Sequence, residues 1–423
     1  MCEGGHVPTI ELPYGTRMLS VDVPEKNLMG VVHEKPVSVR PLRELFDEAW
    51  SNPYGMDDPA SVCGSGESVA IVISDHTRPT PTRALLPLLW QRLRGTVRAE
   101  DVTILVATGT HRGTTEGELR ALLGEMRGTF RVAVHDCHKD CVEVGRSSRG
   151  NVIELNRYAA EADHVLSIGT IGMHYYAGYS GGRKNIFPGV GSAASVERNH
   201  AMMEHSESRP CTYEGNPVSE ELVEASRCVA YRFIVDVVLR GDGQVAGVFV
   251  GEPEAAHKAG RDFWDEHFPV EVSERADLVL ASVGGHPKDI NFYQAHKGQY
   301  NASLATADGG MSYLSAACPK GWGHNVFEEW MRRAETLEDV HRIYQEEGFR
   351  LGGHKAVYFA KDRQRIDILL QSELPDDDVR SFFMTPVQSP QEALEIARSR
   401  FGDDLRVLVM PHAAATYPLL PRD

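Results

Sequence analysis

Three polar clusters each follow a short apolar run, and their residue types suit acid–base chemistry on a small anion. Asp75, His76, Thr77 and Arg78 follow SVAIVIS, with Pro79 and Pro81 stiffening the chain beyond them. His111 and Arg112 follow DVTILVA within ATGTHRGTTEGEL, and His174 follows ADHVLSI within SIGTIGMHYY. Two imidazoles of near-neutral pKa on opposite sides of a substrate suit a two-faced proton transfer, because one takes a proton while the other gives one. A lone loop histidine is commonly just a solvated or capping residue, so the reading rests on the pair. It requires the strands behind them to be neighbours.

The densest stretch is His174 to Gly191, HYYAGYSGGRKNIFPGVG, which sets Gly178, Ser180, Gly181, Gly182, Gly189 and Gly191 around Arg183 and Lys184. Such a loop can bring backbone N–H groups against a phosphate, with Arg183 balancing its charge. It lacks the GxxxxGK[ST] spacing of a P-loop, and neither GYSGGR nor GVGSAAS forms a GxGxxG behind a strand. A standard ATPase or a dehydrogenase with freely dissociating nicotinamide is therefore disfavoured. SVERNHAMMEH follows and reads as helical, presenting His200 with His205 as a possible neighbour. No HEXXH-like pair accompanies them, so a hydrolytic zinc site is not encoded. Later, GGHPKDINFYQAHKGQYNA offers Lys288, Tyr293, Gln294, His296 and Lys297 to an anionic substrate.

The elements that position these residues alternate between strand-length apolar runs and amphipathic stretches from Ser68 onward: SVAIVIS, TRALLPLLWQRLRG, DVTILVA, TEGELRALLGEMRG, FRVAVHD, ADHVLSI. That alternation predicts βαβ units and a mostly parallel sheet. FIVDVVLRGDGQVAGVFVG reads as a hairpin with an Asp-Gly turn, followed by the helix EPEAAHKAGRDFWDEHF. A second α/β series starts at ADLVLASVGG, runs through FEEWMRRAETLEDVHRIYQEEG, HKAVYFAK, RIDILLQS and QEALEIARSRFG, and ends at LRVLVMPH. In it, Tyr358 and Phe359 of HKAVYFAK read either as aromatic walls of a pocket or, the favoured reading, as the core of a strand. TIELPY, RMLSVDV and LMGVVHE, within residues 7–35, predict a small antiparallel piece at the start. The expected architecture is two α/β domains, residues 1–270 carrying the cofactor and catalytic groups and 271–423 closing over the substrate, with a cleft between them.

A chain of 423 residues with 42% hydrophobic and 25% charged residues can bury full cores, which excludes a disordered or low-complexity protein. Its 44 Lys and Arg against 60 Asp and Glu give a net charge of −16, a poor match for nucleic acid or anionic membranes. The seven cysteines, Cys2, Cys63, Cys137, Cys141, Cys211, Cys228 and Cys318, are scattered rather than framework-like, so a reducing cytoplasm is expected. Cys137 and Cys141 form a CxxxC, but no second Cys/His pair stands at finger-like spacing. MCEGGHVPTIELPYG lacks the pattern of a leader, and no run approaches the ~18 apolar residues of a membrane span.

Taken in order, DHTRP, TGTHR, GMHYYAGYSGGRKNIFPG, ERNH and YQAHK resemble the lactate racemase family that uses a nickel-pincer nucleotide, over about residues 68–300. The resemblance implies a pyridinium mononucleotide attached through a thioamide to Lys184, with nickel held by one carbon and two sulfurs of the group and by His200. It implies His111 and His174 as the acid/base pair, and Asp75, Gly178, Ser180, Gly181, Gly182 and Arg183 around the cofactor, the loop cradling its single phosphate. It further implies Arg78, Tyr293, Gln294 and Lys297 as contacts to a 2-hydroxy acid, with cofactor-making enzymes as partners. The expected activity is a racemase or epimerase acting at C2. The alternative is a protein that binds or carries the nucleotide without turnover.

Overall fold

The computed structural model describes residues 7–420 and divides into two compact units. Cys2 lies outside the described residues. One unit is Val37–His267; the other joins the chain up to Pro36 with everything from Phe268 onward. Both are α/β, with fourteen α-helices in all among the described residues. No helix of the described chain is long and apolar enough to cross a membrane.

In the Val37–His267 unit a six-stranded sheet runs in the order Val245–Gly251, Tyr231–Leu239, His164–Ile171, Val69–Ser74, Val102–Ala107, Arg131–Val134. All neighbours are parallel except the Tyr231–Leu239/Val245–Gly251 hairpin, whose connection closes through Arg240–Gln244 with Gly243 at φ +85°. Val69–Ser74 is buried throughout, as a central parallel strand must be when both faces are covered. Its Val69, Ile71 and Ile73 pack with Leu85, Leu86 and Leu89 of the Thr82–Leu93 helix, and with Ile104, Val106, Leu166 and Ile168 of the flanking strands. The helix Glu116–Leu123 begins with a reciprocal capping box, Thr115 with Glu118.

The other unit builds a second six-stranded sheet, Thr385–Pro386, Asp367–Gln371, Thr306–Ser315, Ala276–Ser282, Val407–Met410, Leu28–Val31, parallel throughout. The antiparallel piece expected near the start is present as Thr9–Tyr14 paired with Arg17–Asp22. The third segment behaves differently from the expectation: Leu28–Val31 joins the far sheet, pairing Leu28 with Val407 and Val31 with Val409. Leu12, Val21 and Val23 meanwhile share a core with Leu278, Tyr313 and Val407. Residues up to Pro36 therefore fold with the C-terminal series rather than with residues 37–270. HKAVYFAK is also corrected, since it lies in the α-helix Gly353–Arg365. Its buried positions Gly353, His354, Ala356, Val357, Phe359 and Ala360 repeat at three and four residues, which is a helix face, not a strand alternation.

Candidate active site

Sheet order places the chemistry. From Val69–Ser74 the chain winds outward through Val102–Ala107 and Arg131–Val134, then returns to the opposite side with His164–Ile171. In an open parallel sheet the crevice at such a reversal, beyond the carboxyl ends of the strands, is where ligands bind. The three loops carrying Asp75, His111 and His174 leave the three central strands at that end. The histidine-bearing strands are not adjacent; both flank Val69–Ser74. Thr80 Oγ1 lies 2.8 Å from Thr170 Oγ1 and stitches the two sides of the reversal together.

Asp75 is buried and works on His111: His111 Nδ1–H donates to its Oδ2 at 2.7 Å, while Thr77 donates to Oδ1 from its hydroxyl at 2.6 Å and its N–H at 3.1 Å. Burial pushes the Asp75 carboxyl up, but the bonds from His111 and Thr77 outweigh it and hold the group below its ordinary range. A carboxylate can only accept, so the neutral His111 ring carries its proton on Nδ1 and its lone pair on Nε2.

His174 is held the opposite way. The short Met173–His174/Gly178–Tyr179 ladder turns the chain so that the Ala177 N–H donates to His174 Nδ1 at 3.3 Å. The neutral ring therefore carries its proton on Nε2, which lies 3.2 Å from Lys184 Nζ. For Nε2–H to be shared with Nζ, the amine must offer a lone pair. Burial, then the positive charges of Arg78 and Arg183, push the Lys184 ammonium well below its ordinary range, which favours that uncharged amine. Tyr176 is the hub beneath these groups. Its buried ring stands edge-on to His174 at 4.7 Å and to His200 at 5.1 Å between centroids, with Lys184 Nζ 5.8 Å from its centre.

His200 closes the Ala193–His200 helix and is buried, with its Nδ1 3.0 Å from Asn199 Oδ1. His205 does not join it; it is exposed and its Nδ1 accepts the Glu207 N–H. Among the described residues no group of three or more His, Cys, Asp or Glu side chains converges as a metal site, and Cys63, Cys137, Cys141, Cys211, Cys228 and Cys318 are free thiols.

The glycine-rich loop is shaped by protein contacts more than its composition suggested. A Cβ on Gly178 would sit 2.0 Å from the Thr212 carbonyl oxygen, and one on Gly182 would strike the His257 ring at 2.8 Å. The Gly182 N–H donates to buried Asp236 at 2.6 Å, and Ser180 Oγ donates to the Thr170 carbonyl at 2.8 Å. Gly181 leaves room for the same Asp236, whose carboxyl burial pushes up to about 7. Arg183 points into the interior: its guanidinium donates to the Ala177 carbonyl and Ser219 Oγ, lies 2.9 Å from His257 Nε2, and stacks over Tyr213 at 4.6 Å. Its observed work is to anchor the loop that presents Lys184, which differs from the expected contact with a phosphate. Arg78 is exposed near both Asp75 and Lys184, where its charge acts on each.

In the second unit the same winding reverses between Ala276–Ser282 and Val407–Met410. The loop after the first of these leads into the Phe292–Ala305 helix, with Asn291 capping it by accepting the Gln294 N–H at 2.9 Å. Tyr293, Gln294 and Lys297 occupy its first turn and a half, on one side. Tyr293 stacks on His324 at 4.8 Å, and Lys355 Nζ lies 4.0 Å over its ring. Desolvation and then the Lys288 charge lower Lys297 below its ordinary range.

Residues 14–210 match the model for the lactate racemase N-terminal domain, and residues 271–416 match that for its C-terminal domain. The chain belongs to the lactate racemase family. It is 32% identical to the lactate racemase of Thermoanaerobacterium thermosaccharolyticum over 95% of this chain and 97% of that one. It is 30% identical to the lactate racemase of Lactiplantibacillus plantarum over the same shares. The structure of the lactate racemase apoprotein from T. thermosaccharolyticum superposes with a TM-score of 0.90 at 30% identity, covering 98% of this chain and 100% of that one. Membership in the family places the chain among racemases, which are isomerases.

The sequence singled out His111, His174, Lys184 and His200, and the structure brings the last three around one ring. It did not single out Tyr176, Asn199 or Glu221. Only the HYY run next to the glycines hinted at the first.

Proposed function

We propose that this racemase inverts C2 of a 2-hydroxy acid, lactate-like or larger, using a nickel-pincer nucleotide tethered to Lys184. The single observation that carries the reading is the opposite setting of the two imidazoles: His111 Nδ1 lies against the Asp75 carboxylate, which leaves Nε2 its lone pair, whereas His174 Nδ1 takes the Ala177 N–H, which leaves the proton to Nε2. The residues fit the cofactor: burial and the neighbouring cations disfavour the ammonium form of Lys184, and His200 offers one buried imidazole. When bound, the nucleotide supplies an electron sink that accepts the α-hydrogen with its electron pair and returns it.

The chain's own residues handle the protons. Removing the α-hydrogen as a proton beside an ionised carboxylate would create a dianion, so the useful proton to move is the one on the hydroxyl. His111 Nε2 accepts that proton, and Asp75 stabilises the resulting imidazolium through Nδ1. On the opposite face of the 2-oxo acid the oxygen would take its proton from Nε2 of His174 in its imidazolium form, which leaves a neutral ring. Exchange with solvent resets the two rings, and the reverse reaction exchanges their roles. Arg78 holds the carboxylate by charge-assisted hydrogen bonds. Tyr293, Gln294 and Lys297 are proposed as further substrate contacts.

The test is a panel of chiral 2-hydroxy acids in heavy water, using protein co-expressed with cofactor-making enzymes. Optical rotation should fall to zero while C2 keeps its protium. Deuterium entering C2 would replace this mechanism with proton abstraction. Absence of any inversion, with the adduct present by intact mass, would leave a carrier of the nucleotide.

A further inference from the structure

Asn199 and Glu221 are both buried and neither takes part in the chemistry above. Asn199 Nδ2 faces two groups that only accept: Glu221 Oε2 at 2.9 Å and the Val218 carbonyl at 3.3 Å. Glu221 is itself fixed, accepting from Ser147 Oγ at 2.7 Å on Oε1 and from Asn151 Nδ2 at 3.1 Å on Oε2. With three side-chain donors aimed at it, its oxygens act as acceptors. The amide of Asn199 can therefore not be reversed without setting its oxygen against a carboxylate. Its Oδ1 is committed to the His200 side, 3.0 Å from Nδ1, and an amide oxygen can only accept there. The proton of the neutral His200 ring must be on Nδ1, and the lone pair on Nε2.

We propose that Asn199, oriented by Glu221, is a positioning residue that locks His200 in the Nδ1–H form and so presents Nε2 as its metal-ligating nitrogen. An imidazole that ligates through one nitrogen is oriented and made more basic by the acceptor bound to the other. Here the acceptor is an amide backed by a carboxylate, so the negative charge reaches the ring only through one intervening amide. The chain of contacts links the Ala193–His200 helix to the Pro217–Ser226 helix, which carries Glu221. This inference rests on the proposed nickel ligation by His200, yet the protonation it asserts belongs to the apoprotein.

Nitrogen NMR of protein labelled with ¹⁵N-histidine, with His200 assigned by its loss in His200→Ala, reads the tautomer without any metal. Wild-type apoprotein should show Nδ1 protonated and Nε2 bare; the reverse would overturn the proposal whether or not any variant folds. In Asn199→Leu the ring should become a mixture of tautomers, and nickel in the cofactor-loaded protein should be lost to EDTA roughly 10–100-fold faster. An unchanged tautomer and unchanged nickel loss in that variant would overturn it too. If His200→Ala retained nickel like wild type, ligation by His200 would fail while the apoprotein tautomer result stood on its own.

Discussion

The two units share a winding rule and differ in what they tie down at the reversal. In the Val37–His267 unit each histidine singled out has a specific side-chain neighbour: His111 with Asp75, His174 with Lys184, His200 with Asn199. In the other, the loop after Ala276–Ser282 and the end of Val407–Met410 bring Lys288 beside Lys297 and His412. Burial and then Lys288 lower His412 below its ordinary range, with Glu34 pulling the other way. The first arrangement fixes proton positions in advance, which is what acid–base work needs. The second sets lysines near one another at a strand end, which suits an arriving anion. On the proposed function, the same scaffold would serve chemistry in one unit and charge recognition in the other.

Substitutions can break this contrast. The largest effect is expected at the paired groups: His111→Ala and His174→Ala should each cut inversion roughly 10²–10⁴-fold in steady-state assays, with nickel content unchanged. A cost below tenfold at either would remove it from the acid/base pair. Next comes the loop frame. Gly178→Ala sets a Cβ 2.0 Å from a carbonyl oxygen at φ +70°, and should cost about 3 kcal/mol in denaturant unfolding. Gly309→Ala in the other unit, at φ +75° but with open space around it, should cost about 1 kcal/mol. Equal losses would mean that backbone strain alone governs the loop. Lys297→Met should lower kcat/KM about tenfold through KM, leaving the Lys184 adduct intact by mass; the tenfold figure is the scale of one lost charge-assisted contact.

The smallest expected effect concerns acid. Because the folded Asp75 carboxyl lies below its unfolded value of about 3.9, its contribution to stability is complete above that pH and is lost as pH falls through the folded value. Asp75→Asn should therefore flatten the fall of the urea midpoint below about pH 4 relative to wild type. An equally steep acid limb in the variant would show that other carboxylates carry it.

Local periodicity made most of this fold legible. Val69–Ser74, His164–Ile171 and the Asp-Gly hairpin were readable because each carries its pattern within a few residues. HKAVYFAK misled because a short apolar run fits either period, and only the length of Gly353–Arg365 separates them. The partner of Leu28–Val31 lies near the other end of the chain, beyond any window of pattern reading. The site divides the same way. Histidines behind strands and a lysine among glycines announce themselves by type, whereas Asp75 as the partner of His111, Tyr176 as a hub and Asn199 with Glu221 are relations between distant positions. Arg183 misled for a related reason: sequence shows its charge, and only packing shows that it points inward.

The edge strand Leu28–Val31 has a consequence for biogenesis. Among the described residues its one neighbour in the sheet is Val407–Met410, so a segment made early in this chain waits for one made much later. Val37–His267 can mature meanwhile, as domains generally do in order of synthesis. A nascent chain halted before residue 407 would hold the folded Val37–His267 unit together with an unpaired strand edge, a species suited to chaperone capture.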